Sequence, residues 1–171
     1  GRFFWTALLG MVLVYTVGLF TRLMENDSAQ FAVMAMRMFQ EQDFLNLWKG
    51  VEEYLDKPHL HYWLAAFSYT IFGLFDWAYR IPAVLLTLLG GYSCYGLGRA
   101  LYSENTGRIA ALVFLSAQTI VLSAIDVRTD AVLTGFTAFA IWQLYEYLKS
   151  GKTVPLLLGA AGAGLAFSTK G

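Results

Sequence analysis

Five long apolar runs restrict this chain more than any other feature. Residues 3–20, 81–101, 109–125, 131–148 and 154–169 are almost free of charge, with Arg99 and Glu146 near the ends of two of them. A helix needs about 20 mostly apolar residues to cross a bilayer, whereas the core helix of a soluble domain needs only one apolar face. Composition points the same way. The chain is 57% hydrophobic and 14% charged, while soluble domains average about 25% charged residues, so too little polar surface exists to coat a globule in water. The fold class read from this is an all-α integral membrane protein. The first run lacks a small-residue cleavage pattern before Arg22 and reads as a retained anchor. The last run is the shortest and is expected to continue in a longer protein.

Charge and cysteine content remove other classes. Twelve basic residues balance twelve acidic ones, which leaves no net field to draw nucleic acid. Cys94 is the only cysteine, so an intrachain disulfide framework and a Cys-based zinc site are both excluded.

A sixth run, residues 58–75, opens with His59 and His61 and carries Ser68, Tyr69 and Thr70. The positive-inside rule arbitrates its placement. If it lies along the membrane surface, Arg2, the loop from Arg99 to Arg108 and the loop holding Lys149 and Lys152 all fall on one side. If it spans, those charges divide between both sides. The first arrangement is favoured: five spans, with residues 21–80 and the short link 126–130 on the extracytoplasmic side. Within the long loop, residues 28–41 place Phe31, Met34, Ala35 and Met38 at helical spacing, which predicts an amphipathic helix lying at the interface. Pro58 is expected in the first turn of the next helix.

The polar residues gather in these two extracytoplasmic segments. Glu25 and Asp27 emerge just after the first span. Either Asp27 caps the following helix, or a carboxylate here accepts a proton from, or orients, an acceptor hydroxyl. Asp126, Arg128 and Asp130 crowd three charges into five residues. They form either a hydrated turn with Asp130 as cap, or a charged set needing a partner; in a continuous helix the two aspartates would share a face and repel. Lys57 is either an interfacial anchor or a point charge for a phosphate. His59 and His61, two residues apart, do not face each other on a helix and make a poor metal pair. Gly159, Gly162 and Gly164 read as close-packing positions between membrane helices.

Taken in order, the segments "NDSAQFAVMAMRMF", "YLDKPHLHYWLAAFSYTIFG", "AYRIPAVLL", "YGLGRALYSENTGRIAALVFLSA", "DVRTDAVLTGFTAF" and "GLAFSTKG" resemble the N-terminal part of C-type (GT-C) membrane glycosyltransferases of the protein O-mannosyltransferase and aminoarabinose (lipid A) transferase superfamily. The resemblance implies a GT-C transmembrane helix bundle with juxtamembrane amphipathic helices in the first extracytoplasmic loop. It implies transfer of a sugar from a polyprenyl-phosphate donor to an acceptor lipid, glycan or protein hydroxyl, at the periplasmic or outer face of a bacterial inner membrane. By the same resemblance, Asp27 and Asp130 are the catalytic carboxylates and Lys57 contacts the donor phosphate, with Arg128 or Arg80 assisting. Glu25, Asp56, Tyr54, His59 and Asp126 complete the candidate set. No cofactor is required by this reading, and a divalent metal is compatible with it. Two positions depart from the family pattern: Ser28 stands where Glu is frequent, so that the second carboxylate is either supplied by Glu25 or missing, and Asp56 replaces the Glu before the Lys-Pro pair.

The competing class is an ion-coupled transporter or channel fragment, in which Asp126 and Asp130 bind an ion or relay protons. Its signature, an internal repeat, is missing from these 171 residues.

Overall fold

The structure, a computed structural model, describes residues 2–170; Gly1 and Gly171, at the ends of the expected segments, lie outside the described residues. The elements in chain order are helix α1 (Arg2–Gly18), helix α2 (Asn26–Glu41), a two-stranded antiparallel hairpin of β1 (Trp48–Lys49) and β2 (Glu52–Glu53), then helices α3 (Leu60–Phe72), α4 (Asp76–Leu101), α5 (Glu104–Ser116), α6 (Gln118–Ile125), α7 (Thr129–Ser150) and α8 (Thr153–Lys170). Trp48 pairs with Glu53 and Lys49 with Glu52. Gly50 makes the tight turn possible with φ of 64°.

Helices α4, α5, α7 and α8 form the tight part of the bundle. Their approach depends on small residues: a Cβ on Gly98 would come within 2.9 Å of the Gly107 Cα, and one on Gly135 would strike the Leu86 carbonyl. Caps set the ends. Ser103 accepts a hydrogen bond from the Thr106 amide at 3.2 Å to start α5, and Gly151 in the left-handed region stops α7. Helix α2 buries Phe31, Met34, Ala35 and Met38, the stripe predicted from spacing, against α3.

The membrane-length expectation is met only in part. Helix α4 is long and apolar enough to cross a bilayer, and α5 with α6 qualify together as one span bent by 55°; α1 is a shorter apolar helix. Small and polar residues keep α7 and α8 below the same mark. Large apolar side chains nevertheless face outward in number, among them Phe3, Trp5, Val17, Val113, Leu157 and Phe167, a distribution that water would penalise.

Four expectations need correction. The run 109–125 is two helices, because Ala117 adopts an extended conformation with ψ of 122°. The break is sustained by partners for the freed carbonyls: the Tyr15 hydroxyl donates to the Leu115 carbonyl at 2.9 Å, and the Ser116 hydroxyl and Ala117 amide reach the carbonyls of Val113 and Phe114. The run 81–101 starts earlier, at Asp76, so Pro82 lies inside α4. Proline lacks the amide that would bond the Ala78 carbonyl, and the Ser68 hydroxyl of α3 fills that place at 2.5 Å. Pro58 precedes α3 and takes no part in its first turn, since the helix begins at Leu60 after His59. Finally, α2 begins at Asn26 with Glu25 as the capping residue, so Asp27 sits in the first turn.

Candidate functional site

The site begins at two chain corners brought together by one buried side chain. Asp126, 3% exposed, ends α6 and turns its carboxylate back toward the segment after α1. Its Oδ1 accepts from the amides of Met24 at 2.7 Å and Glu25 at 3.4 Å. Beside it, Val127 takes φ of 56°, which redirects the chain so that Asp126 and Asp130 do not share a helix face. The expected repulsion is thereby resolved, each aspartate having its own partners. Arg80 fastens the same region from below. Fully buried in α4, it donates from Nε to the Ile125 carbonyl at 2.8 Å and from Nη1 to the carbonyls of Leu19 at 3.3 Å and Asp76 at 3.1 Å. Its charge thus sits at the C-terminal ends of α6 and α1, where helix dipoles favour a cation, and it is a structural residue, not part of the cavity.

With the corners fixed, Glu25, Asp27, Ser28, Phe31, Lys57, Arg128, Thr129, Asp130 and Lys170 line one cavity of about 130 Å³. It contains three carboxylates and three cations. Two pairs are closed: Arg128 with Glu25, and Lys170 Nζ with Asp130 Oδ1 at 2.6 Å. Arg128 Nε also lies 4.0 Å from Asp126 Oδ2. Among the described residues, Asp27 and Lys57 have no ion-pair partner within 4.0 Å. Asp27 occupies the first turn of α2 and, like Lys57, is paired with no other charge among the described residues, so both are free to meet a ligand.

Of the sequence-predicted residues, the fold brings Asp27, Asp130, Lys57, Arg128 and Glu25 to this cavity and leaves the others around it. Tyr54 stands behind Phe31, ring centroids 6.5 Å apart; burial and nearby Asp56 raise its hydroxyl above the ordinary range. Asp56 is exposed. His59 holds the loop, its Nε2 bonding the Leu45 carbonyl at 2.9 Å beside Trp63. His61 is buried, with Nε2 3.4 Å from the Tyr79 hydroxyl, which donates to the Ser28 carbonyl at 3.3 Å; burial pushes the ring down to about 4, so it stays neutral. Among the described residues no three His, Cys, Asp or Glu side chains are grouped to hold a metal ion.

Lys170 is the residue sequence reasoning missed. Its signal was available in geometry: α7 and α8 form an antiparallel hairpin of 22 and 18 residues, which returns the end of α8 to the start of α7.

Known proteins resemble this chain in sequence and in fold. The sequence model of the dolichyl-phosphate-mannose-protein mannosyltransferase family matches residues 56–171. The putative mannosyltransferase YkcB of Bacillus subtilis is 29% identical over 116 residues, 68% of this chain and 16% of that protein. An undecaprenyl phosphate-alpha-4-amino-4-deoxy-L-arabinose arabinosyl transferase of Proteus mirabilis is 27% identical over 169 residues, 95% of this chain and 31% of that protein. The crystal structure of ArnT from Cupriavidus metallidurans bound to undecaprenyl phosphate superposes with a TM-score of 0.90 at 22% identity, over 97% of this chain and 32% of that one; its apo form gives 0.87. The chain therefore spans less than a third of the length of each. By the family match and the shared fold, this chain belongs to the dolichyl-phosphate-mannose-protein mannosyltransferase family of GT-C glycosyltransferases.

Proposed function

We propose that the chain supplies the donor-phosphate and acceptor-activating side of an integral bacterial inner-membrane enzyme. This enzyme transfers a sugar from a polyprenyl-phosphate carrier to a lipid, glycan or protein hydroxyl at the periplasmic or outer face. The observation that carries the reading is the cavity in which Lys57 and Asp27 stay unpaired beside two closed ion pairs. The ArnT structure bound to undecaprenyl phosphate, a neighbour in fold, is consistent with a polyprenyl-phosphate donor.

In this mechanism Lys57 holds the phosphate of the donor. Asp27 orients the acceptor hydroxyl and takes its proton as the oxygen bonds to the anomeric carbon and the carbon–oxygen bond to phosphate breaks. Charge then grows on the departing polyprenyl phosphate, where Lys57 and the adjacent Arg128 stabilise it in a site partly shielded from water. Asp130, tied to Lys170, keeps the far wall in place. The segments around the cavity, residues 21–80 and 126–130, lie on the extracytoplasmic side, with five spans beneath them.

The test is Lys57→Ala in the full-length protein with a panel of polyprenyl-phosphate sugars. Donor affinity is expected to fall about 10- to 100-fold, the worth of a hydrogen bond to a charged group, with transfer slowed as well. Unchanged donor affinity would overturn the assignment of Lys57.

A further inference from the structure

At the end of the bundle opposite the charged cavity, α1, α4 and α5 enclose a second space of about 360 Å³, within the range of about 300–1,000 Å³ that small-molecule sites occupy. Trp5, Leu8 and Val12 of α1 face Tyr92 of α4 across it, and Trp5 and Tyr92 are exposed to the surroundings, so the groove opens sideways. Its walls are apolar except at one mouth. There the Arg108 guanidinium lies 5.7 Å above the Phe4 ring and pairs with Glu104 at 3.2 Å, while the Tyr95 hydroxyl donates to the same carboxylate at 2.6 Å. Arg99 lies 5.4 Å over the Tyr95 ring and has no carboxylate within 4.0 Å among the described residues. One carboxylate therefore faces two guanidiniums, and the surplus positive charge sits where an apolar groove meets the bundle's end.

A fixed cation at the mouth of a sideways-opening apolar groove fits an amphiphile with an anionic head. Head groups of negative charge collect against basic residues at the membrane surface, and their chains lie at the depth of the groove. We propose that this groove holds one acyl chain of an anionic phospholipid whose phosphate sits between Arg99 and Arg108. The proposal rests on the membrane reading above and adds a lipid site separate from the transfer cavity, at the other face of the bilayer. Neither arginine is assigned a part in transfer.

The experiment uses the full-length protein in phosphatidylcholine vesicles containing brominated phosphatidylglycerol, or brominated phosphatidylcholine at matched bromine content. The difference in tryptophan fluorescence between wild type and Trp5→Phe isolates the Trp5 signal. Trp5 is expected to be quenched more strongly by the anionic lipid. The preference should fall about fivefold with Arg108→Gln and again with Arg99→Gln, the worth of one cation near an anionic surface. Equal quenching by both lipids, or none by either because another part of the full chain fills the groove, would overturn this site alone. Protein stripped from the vesicles by alkaline carbonate would overturn the membrane reading and this site together.

Discussion

Asp126 shows why a residue can govern a cavity it does not line. It lies 3% exposed, accepts two amide hydrogens from the corner between α1 and α2, and sits 4.0 Å from Arg128. That one carboxylate sets Glu25 and Arg128 in register, and the α2 start carrying Asp27 follows directly in the chain. Asp126→Ala is expected to cost about 1–3 kcal/mol by leaving those amides unpaired, read as a lowered midpoint of thermal unfolding, and to weaken donor binding without removing any group from the cavity. Asp126→Asn keeps an acceptor oxygen and should recover most of the stability. At this scale the sequence was informative about residue type and silent about direction. The charges of Glu25, Asp27, Lys57, Arg128 and Asp130 stood out because ionisable groups beside apolar runs are costly without a task. Arg80 entered only through the family resemblance, and besides the Asp76 carbonyl one turn earlier its partners are the carbonyls of Leu19 and Ile125, contacts between distant segments that no local pattern encodes.

Elements were legible where periodicity or punctuation marks them. The stripe of α2 is a clear helical repeat, and the left-handed Gly151 punctuates α7 and α8. The break between α5 and α6 carries no glycine or proline and was hidden in an unbroken apolar run. It exists because a residue 100 positions away, Tyr15, bonds the carbonyl that the break exposes. Helix α3 spans 13 residues, about 20 Å at 1.5 Å per residue, shorter than the hydrocarbon core of about 30 Å. Its link to α4 through Ser68 at the Pro82 gap was equally invisible. Tyr15→Phe removes only the hydroxyl, so it tests the break directly. It is expected to destabilise the protein by about 1–3 kcal/mol, measured by thermal unfolding in detergent, with little effect on donor affinity because the cavity is remote from Leu115. A stability equal to wild type would show that the break does not depend on this bond.

For the whole molecule, the bundle separates two chemistries along its length. The starts of α2 and α7 and the end of α8 gather opposed charges around a small cavity, while Lys149 near the end of α7 and Lys152 just before α8 stand at the other end of that helix pair, and Arg99 and Arg108 lie near the end of α4 and the start of α5. Paired ions hold the cavity walls and leave one carboxylate and one ammonium uncommitted, the arrangement on which the proposed transfer rests. The central claim is that Asp27 acts on the acceptor while Lys57 acts on the donor. It is tested most directly by the turnover of full-length Asp27→Asn with a polyprenyl-phosphate sugar and a hydroxyl acceptor both saturating. The substitution keeps size and hydrogen bonding but cannot take a proton. Donor affinity should stay near that of wild type while turnover falls about 10²- to 10⁴-fold, as for a lost general base; turnover at the wild-type rate would contradict the account and remove Asp27 from the mechanism.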